Sequence, residues 1–307
     1  MKINHRVGLF LPLHRLLVVL FFIGALFYIL QLIPVNKQRE TTFNKSNETP
    51  LVIAHRGGAG IAPENTLYAF KMAERLGVDA IELDVRMSKD KELIVIHDET
   101  VDRTTDGTGL VSNLTLDQLK EFDAGYRLKM EKRGYPFRNR GIQIPTLEEV
   151  FQEIKHTSFV IEIKDTNPKV EKKVAKLIKK YKLKKKVIVG SFNDESIKRF
   201  ANSTEGKVPI GTGAETLKFY VFLHKLHLDR IYPLKRNAVQ IPVKAGHIDL
   251  ATERLVNTMR ERNIAIHYWT INDEKTMKEL IKLNVDGIIT DFPNKMLQLI
   301  NKDVEEL

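Results

Sequence analysis

Histidines, acidic residues and basic residues stand at the ends of several short apolar runs in this chain. The run LVIA at 51–54 leads into His55 and Arg56, and LIVI at 93–96 leads into His97 and Asp98. The positions where an apolar run ends in a polar, charged or aromatic group of this kind are His55, Arg56, Glu82, Asp84, His97, Asp98, Glu162, Lys164, Ser191, Trp269, Thr290 and Asp291. In a parallel α/β barrel the carboxyl ends of the strands meet at one face, so this pattern predicts one shared site.

The acidic residues are spaced so that they can converge. Glu82-x-Asp84 and Glu162-x-Lys164 are i, i+2 pairs, and such side chains project to the same side of a strand. Three carboxylates brought together in a low-dielectric barrel mouth repel one another unless a cation lies between them. Oxygen ligands suit a hard divalent ion, Mg²⁺ or Ca²⁺. The absence of cysteine, with only two candidate histidines, argues against structural zinc.

Two histidines and two basic side chains accompany these carboxylates. The imidazoles of His55 and His97 can give and take protons near neutral pH, as general acid–base catalysis requires. Arg56 and Lys164 suit the recognition of a phosphate, and the glycines after Arg56 let backbone N–H groups approach an anion closely. A divalent ion, two imidazoles and two cations together indicate phosphodiester cleavage more readily than any other reaction.

Apolar strand-like runs alternate with amphipathic helical patterns from residue 51 onward, which predicts the fold. The strand-like runs are 51–55, 80–85, 92–98, 159–164, 187–192, 208–212, 238–242, 264–271 and 286–290, and the helical patterns include 64–77, 145–155, 168–181, 249–263 and 273–284. Such alternation is typical of a parallel sheet covered on both faces, and its length predicts a (β/α)8 TIM barrel over residues 51–307. A doubly wound open sheet is the alternative, but HRGGAGIAPEN lacks the G-x-G-x-x-G turn that it needs.

The strand candidates number one more than a barrel requires. We expect 208–212 or 238–242 to be an extra or irregular segment. The stretch from Asp84 to Glu92 is short for a parallel crossover and predicts an extended link without a helix. Residues 99–144 form a long insertion in which only 114–122 has a helical pattern.

A membrane anchor is predicted before the barrel. Residues 16–33 are apolar or glycine except for Gln31, and a helix of this length spans about 27 Å, close to the hydrocarbon thickness of a bilayer. No small-x-small cleavage pattern follows, so we expect a retained single-pass helix between a basic tail (1–15) and a polar linker (34–50). Basic residues flank both sides equally, so the positive-inside rule gives no orientation. The short tail favours an extracytoplasmic catalytic domain.

The composition of the chain indicates which kinds of partner it binds. The 307 residues include 49 Lys and Arg against 39 Asp and Glu, a net charge of +10 that favours anionic partners. The lack of cysteine excludes disulfides and thiolate metal sites. Nucleic acid is not expected, because the lysine-rich stretch 168–186 reads as one helix without interleaved aromatic residues of the stacking kind.

The motifs at the strand ends resemble the glycerophosphodiester phosphodiesterase family in order and spacing. They are H-R-G at 55–57, P-E-N-T at 63–66, E-L-D-V at 82–85, H-D at 97–98, R-T-T-x-G-x-G at 103–109, D-A-G at 123–125, P-T-L-E-E-V at 145–150, E-I-K at 162–164, W-T-x-N at 269–272 and T-D-F-P at 290–293. The resemblance covers about residues 51–300. It implies a TIM barrel that hydrolyses glycerophosphodiesters to glycerol 3-phosphate and an alcohol with a divalent metal.

The same resemblance implies roles for individual residues. The metal ligands would be Glu82, Asp84 and Glu162, and the acid–base pair would be His55 and His97. The phosphate and substrate would be bound by Arg56, Lys164 and Trp269, with Glu64 supporting the site or bearing on the ligand. Either histidine can be the acid. Water can attack directly, or the neighbouring glycerol hydroxyl can attack first through a cyclic phosphate.

Three alternative hypotheses remain open from the sequence. The same chemistry can act on lysophospholipids, for which Tyr126, Tyr135 and Phe137 in the insertion would form an apolar rim. It can also act on a glycerophosphate wall polymer. A barrel that binds anionic polymer without turnover is the alternative from a different class.

Overall fold

The computed structural model describes residues 13–45 and 48–300, in two units. The first, here called the helical unit, contains the described residues up to Asn36 and Phe219–Leu234. The second, the barrel unit, contains Lys37–Lys218 and the described residues from Lys235 onward. Most of the predicted basic tail, two linker residues at 46–47 and the last seven residues of the predicted domain lie outside the described ranges.

Helices and strands alternate along the described chain. The α-helices are α1 (Leu13–Gln31), α2 (Leu67–Arg75), α3 (Leu116–Glu121), α4 (Leu147–Glu153), α5 (Pro168–Lys180), α6 (Asp194–Ser203), α7 (Ala214–Lys225), α8 (Glu253–Glu261), α9 (Glu274–Lys282) and α10 (Pro293–Leu299). The strands are β1 (Leu51–Ala54), β2 (Ala80–Met87), β3 (Leu93–Val95), β4 (Ser158–Ile163), β5 (Val187–Gly190), β6 (Ala238–Ile241), β7 (Lys244–Ala245), β8 (Ile248–Asp249), β9 (Ala265–Tyr268) and β10 (Gly287–Thr290). Short 3₁₀ turns lie at His55–Gly57, Val111–Asn113 and Asp229–Ile231.

The main sheet of the barrel unit is parallel and curls into the predicted (β/α)8 barrel. Its strand order is β5-β4-β2-β1-β10-β9-β6. The two outer strands are joined by the segment 208–212: Ile210 bridges Val189 of β5 in parallel, and the Asn237 amide at the start of β6 donates to the Ile210 carbonyl at 2.9 Å. The TIM-barrel prediction is therefore confirmed.

The ninth strand candidate is explained by β3. The expectation that 208–212 or 238–242 is an extra or irregular segment is confirmed for 208–212, which forms only an isolated bridge to β5, whereas 238–241 is β6. The irregular segment is not surplus, because it closes the barrel. The candidate outside the parallel set is 92–98, whose core β3 pairs antiparallel with β2. An antiparallel hairpin needs no crossover helix, which is why the link from Asp84 to Glu92 is so short.

Local signals in the sequence set where the barrel helices begin. Thr66 caps α2 by accepting from the Ala69 N–H, and Thr146 and Glu149 form a reciprocal capping box on α4. Caps of this kind contribute on the order of 1 kcal/mol each. They fix the start of α2 directly after the loop that follows β1, and so help to hold that loop at the carboxyl end of the sheet.

The predicted linker contacts the barrel before β1 begins. Residues 34–45 form no helix or strand, yet Phe43 is 1% exposed and packs in the barrel core with Ile53 and Ile188. Its carbonyl accepts a hydrogen bond from Nε2 of the buried His267 at 2.9 Å. The backbone of residues 38–45 is therefore tied to the barrel unit.

The long insertion has a core of its own. Its buried apolar side chains cluster with Ile94 of β3 and with Ile96, and they are Val101, Val111, Leu119, Ala124, Ile142 and Ile144. α3 lies inside the predicted helical stretch 114–122. The insertion is thus an ordered cap beside β2 and β3.

Candidate active site

The loop after β1 turns sharply and directs His55 and Arg56 to the carboxyl end of the sheet. Arg56 adopts φ 51°, and Gly57 and Gly58 follow with φ 83° and 100°, in the left-handed region that favours glycine. A Cβ on Gly57 would lie 2.7 Å from a ring carbon of Phe70, so no larger residue fits there. The Arg56 N–H donates to Glu82 Oε2 at 2.8 Å, which joins this turn to β2.

The three predicted metal-binding carboxylates converge on the adjacent strands β2 and β4, where Glu82 and Asp84 lie inside β2 and Glu162 is one residue before the end of β4. Asp84 of β2 lies directly beside Glu162 of β4 in the parallel register. Glu82, Asp84 and Glu162 each place a carboxylate oxygen within 4.8 Å of the other two. Among the described residues, Glu162 Oε1 is buried without a hydrogen-bond partner. An all-oxygen donor set with an unpartnered buried oxygen fits a hard divalent cation.

Electrostatics make this cluster unfavourable without a cation. Burial and the charge of Asp84 raise the pKa of Glu82 to about 8. Burial likewise raises the pKa of Glu162, although Lys164 opposes the shift. A bound cation would lower the pKa of both carboxyl groups and so favour their ionised form.

The two predicted phosphate-binding groups stand against the same carboxylates. Lys164 Nζ lies 2.9 Å from Glu162 Oε2 and 3.2 Å from Asp84 Oδ1. Arg56 Nε lies 3.4 Å from Asp84 Oδ2. These two charges outweigh burial and hold the pKa of Asp84 below its ordinary value. Asn65 adds a hydrogen bond to Asp84 Oδ2 at 2.8 Å.

Each predicted catalytic histidine is held by a carboxylate through Nδ1. His55 Nδ1 donates to Asp291 Oδ1 at 2.7 Å, and His97 Nδ1 donates to Asp98 Oδ1 at 2.6 Å. This fixes the ring orientation and directs Nε2 away from the partner. His55 Nε2 lies 3.9 Å from Glu82 Oε2.

The two imidazoles have opposite pKa shifts. Burial lowers the pKa of His55, but the Asp291 hydrogen bond and the charge of Glu82 outweigh it, so the net shift is upward. Burial dominates at His97 and lowers its pKa despite Asp84 and Asp98. Two titratable groups whose environments separate their pKa values are suited to act as an acid and a base.

A chain of ion pairs connects the two sides of the site through Glu64. Glu64 Oε1 accepts from Arg56 Nη1 at 2.8 Å, and both Glu64 oxygens accept from the Arg103 guanidinium at 2.7 Å. Arg103 Nε also donates to Asp98 Oδ2 at 2.6 Å, and the pKa of Asp98 falls to about 2 because these hydrogen bonds outweigh its burial. The side chain that supports His97 is thereby joined to Arg56.

Sequence reasoning assigned no role to Asp98, Arg103 or Asp291. Each lies inside a motif of the resemblance, and Asp98 and Asp291 also end strand-like runs, so a positional signal was present. The spacing of residues could not reveal their partners, because Asp291 and His55 are 236 residues apart and Arg103 lies in a loop. These three residues contact the predicted site residues directly.

Trp269 joins the site through an aromatic neighbour. Its ring meets the ring of Phe192 edge-on with centroids 6.1 Å apart, and Lys164 Nζ lies 5.7 Å from the centre of the Phe192 ring. Phe192 is 58% exposed and lines a cleft of about 550 Å³ together with Glu162 and Lys164. Phe192 had no predicted role, although it is the last residue of the strand-like run 187–192.

The aromatic residues of the insertion divide into two groups. Phe137 lines a separate cavity of about 650 Å³ with Ile61, Tyr68 and Met72. Tyr126 and Tyr135 instead pack on the guanidinium of Arg138, 4.2 and 3.5 Å from the ring centres. Only Phe137 of the three predicted rim residues therefore borders this cavity.

The assembled groups can bind an anion and move protons beside it. Positive charge comes from Arg56 and Lys164, and the carboxylate cluster can hold a divalent cation. Two oriented imidazoles lie at the same end of the sheet. Each of these functions can contribute to the cleavage of a phosphate ester.

Comparison with known proteins agrees with this chemistry. The model of the Glycerophosphoryl diester phosphodiesterase family matches residues 55–295. A glycerophosphodiester phosphodiesterase from Caldanaerobacter subterraneus subsp. tengcongensis is 37% identical over 82% of this chain and 98% of its own. A lysophospholipase D from Mus musculus is 28% identical over 81% of this chain and 85% of its own.

A solved structure extends the comparison to three dimensions. It is a phosphodiesterase from Oleispira antarctica in complex with the product sn-glycerol-3-phosphate, with a TM-score of 0.65 and 27% identity. The match covers 83% of this chain and 98% of that chain. By fold and by sequence, the chain belongs to the glycerophosphoryl diester phosphodiesterase family.

Proposed function

We propose that this protein hydrolyses glycerophosphodiesters to sn-glycerol 3-phosphate and an alcohol in a divalent-metal-dependent reaction at the carboxyl end of the barrel. The observation that carries the proposal is the convergence of three carboxylates, within 4.8 Å of one another, beside two oriented histidines. The product bound to the Oleispira antarctica relative supports this substrate class.

Glu82, Asp84 and Glu162 would hold the cation. Their all-oxygen donor set favours Mg²⁺ or Ca²⁺. When bound, such an ion supplies positive charge that neutralises the phosphate oxygens and polarises the diester.

The histidines would move the two protons of the reaction. The bond from phosphorus to the alcohol oxygen breaks and a bond from phosphorus to the attacking oxygen forms. Nε2 of one histidine takes the proton of the attacking hydroxyl, and Nε2 of the other gives a proton to the leaving alkoxide. Asp291 and Asp98 stabilise the imidazolium form of whichever ring carries the extra proton.

The remaining site residues would bind and position the substrate. Arg56 and Lys164, which lie against the carboxylate cluster, would contact the phosphate oxygens. Phe192 would line the cleft for the alcohol group, and Trp269 would support it through the edge-on contact of the two rings. Glu64 would act as a positioning residue, because its oxygens are occupied by Arg56 and Arg103.

A second substrate class, lysophospholipids, is favoured by one observation. The cavity of about 650 Å³ is lined by apolar and by charged residues and includes Ile61, in the loop that begins with His55 and Arg56. The Gly60 N–H in this loop donates to the carbonyl of Asp291, the partner of His55. An acyl chain in this cavity would extend from a phosphate held at the site.

We further propose that α1 is a retained single-pass membrane anchor with the barrel on the extracytoplasmic side. α1 has 19 residues, none of them buried, and meets the length and composition of a membrane span. The lack of a cleavage pattern after it supports retention.

The test uses the full-length chain in detergent. Release of glycerol 3-phosphate from glycerophosphocholine, and of lysophosphatidic acid and choline from lysophosphatidylcholine, is measured for the parent, His55→Ala, His97→Ala and the control His247→Ala, which changes an exposed histidine. We expect loss of at least 10²-fold in kcat for the first two variants and parental activity for the control. Full activity of His97→Ala would refute the histidine mechanism, and binding of glycerophosphocholine without release by the parent would establish a binding module instead.

A further inference from the structure

A short segment of the helical unit is bonded to the end of α1. The Gln31 side chain donates to the His227 carbonyl at 2.6 Å, and Arg230 donates to the Ile33 carbonyl at 3.3 Å. The 3₁₀ turn Asp229–Ile231 contacts α1 directly. Phe219–Leu234 and the end of α1 therefore form one structural unit, although about 190 residues separate them in sequence.

This segment exposes a cluster of large apolar side chains, here called the apolar patch. The patch consists of Phe219 (49% exposed), Phe222 (57%), Leu226 (48%) and Ile231 (43%). Phe219, Phe222 and Leu226 are spaced three and four residues apart, so they share one helical face. The ring of Phe219 meets Tyr232 edge-on with centroids 5.4 Å apart, which joins the turn carrying Ile231 to the helix.

The opposite face of the same helix is buried. Tyr220, Val221, Leu223 and His224 are each at most 9% exposed. Exposed patches of aromatic and aliphatic side chains on soluble proteins mark binding surfaces. The apolar exposed face of this helix therefore indicates a binding surface.

The contacts with α1 place this segment at a defined level, given the anchor proposed above. Gln31 and Ile33 lie at the end of the apolar run 16–33, where a spanning helix leaves the hydrocarbon. The charges of the segment also suit a head-group region: Lys225 is exposed, Arg230 lies at the end of α1, and Asp229 is buried 3.4 Å from His224. Apolar side chains flanked by basic ones are typical of surfaces that lie in a membrane interface.

We propose that Phe219–Leu234 is a second membrane contact, in which the apolar patch inserts into the boundary between lipid head groups and acyl chains beside α1. The partner is the bilayer, because the bonds to Gln31 and Ile33 hold the segment where α1 meets the lipid surface. A monotopic contact of this type inserts by roughly 5–10 Å.

The absence of cysteine from the chain permits a site-specific test. Full-length protein with the single substitution Phe222→Cys carries an environment-sensitive fluorophore and is reconstituted, one copy per disc, in nanodiscs of phosphatidylcholine and phosphatidylglycerol. Nanodiscs with a doxyl quencher near the head-group end of the acyl chain are compared with unlabelled ones. Phe27→Cys on α1 is the positive control, and each labelled protein in nanodiscs without doxyl lipid is its own negative control.

The proposal predicts that the probe at position 222 loses at least half as much fluorescence to doxyl lipid as the probe at 27, and shows the same shift to shorter wavelength. Quenching at 27 but not at 222 would overturn the second contact while leaving the anchor intact. The apolar patch would then face water or another copy of the protein instead of lipid. Absence of quenching at both positions would overturn the anchor and with it this inference.

Discussion

Replacing Glu82 by glutamine should stabilise the metal-free protein at alkaline pH while abolishing its metal-dependent activity. Glu82 is 5% exposed and lies beside Asp84, so its pKa in the folded metal-free protein is about 8, against 4.5 in an unfolded chain. Between these values the folded protein keeps a proton that the unfolded chain loses. The contribution of Glu82 to the free energy of unfolding is fully present below pH 4.5 and is lost as the pH rises through about 8.

The size of the effect follows from the separation of the two pKa values. About 3.5 pKa units at about 1.4 kcal/mol each set an upper bound of about 5 kcal/mol on the stability lost by pH 9. Glutamine keeps the shape of Glu82 and has no proton to lose. The free energy of unfolding of the metal-free variant should therefore exceed that of the parent by several kcal/mol at pH 9, which corresponds to a Tm higher by on the order of 10 °C. At pH 5 the two proteins should differ little.

The fluorescence of the single tryptophan measures this difference in the barrel. Trp269 packs against the barrel core, so its emission follows unfolding of that unit. Thermal unfolding of the full-length chain in EDTA is recorded from pH 5 to 9 for the parent, Glu82→Gln and the exposed control Glu153→Gln. The Tm of the parent should fall with pH, and added Mg²⁺ should remove that fall. A parent Tm that does not change with pH, or the same slope in Glu82→Gln, would refute the account of the cluster.

Three further predictions concern residues that support the site and the core. Phe43→Ala should lower the free energy of unfolding by about 3–5 kcal/mol in urea titrations, because it empties a buried position in the barrel; a loss below about 1 kcal/mol would show that residues near 43 do not hold the barrel together. Asp291→Asn should lower the pKa of His55, because it removes the carboxylate that raises it, and should move the corresponding limb of the kcat/KM profile to lower pH; an unchanged profile would contradict this role. Arg103→Met should reduce kcat about 10-fold or more with a smaller effect on KM, and Arg103→Lys should not restore it, because lysine cannot bridge Glu64 in the same bidentate way; full activity of either variant would exclude Arg103 as a positioning residue.

Much of the fold was predictable because its signals are local. Apolar runs alternating with helical patterns predict the parallel barrel, and the polar ends of those runs indicate which face carries the site. The pairing of β3 was missed because a buried antiparallel strand and a buried parallel strand have the same apolar pattern. The burial of Phe43 was missed because a single aromatic residue in a polar stretch has no periodicity.

The site was predictable to the extent that the strands themselves position it. Glu82, Asp84 and Glu162 were expected to converge from their i, i+2 spacing, and β2 and β4 are adjacent strands. The partners of the histidines depend on where loops cross the barrel mouth. Contacts such as those of Arg103 with Glu64 and Asp98 result from that path, which no spacing in the sequence specifies.

The most direct test of the central claim is the dependence of hydrolysis on a divalent cation held by the carboxylate cluster. Release of glycerol 3-phosphate from glycerophosphocholine is followed against free Mg²⁺ and Ca²⁺ for EDTA-treated parent, Glu162→Gln and the exposed control Glu153→Gln. The account predicts no release without added cation, saturable restoration in the parent and control, and a requirement for at least 10-fold more cation, or no restoration, in Glu162→Gln. Full-rate hydrolysis by metal-free parent enzyme, or parental cation dependence in Glu162→Gln, would contradict it.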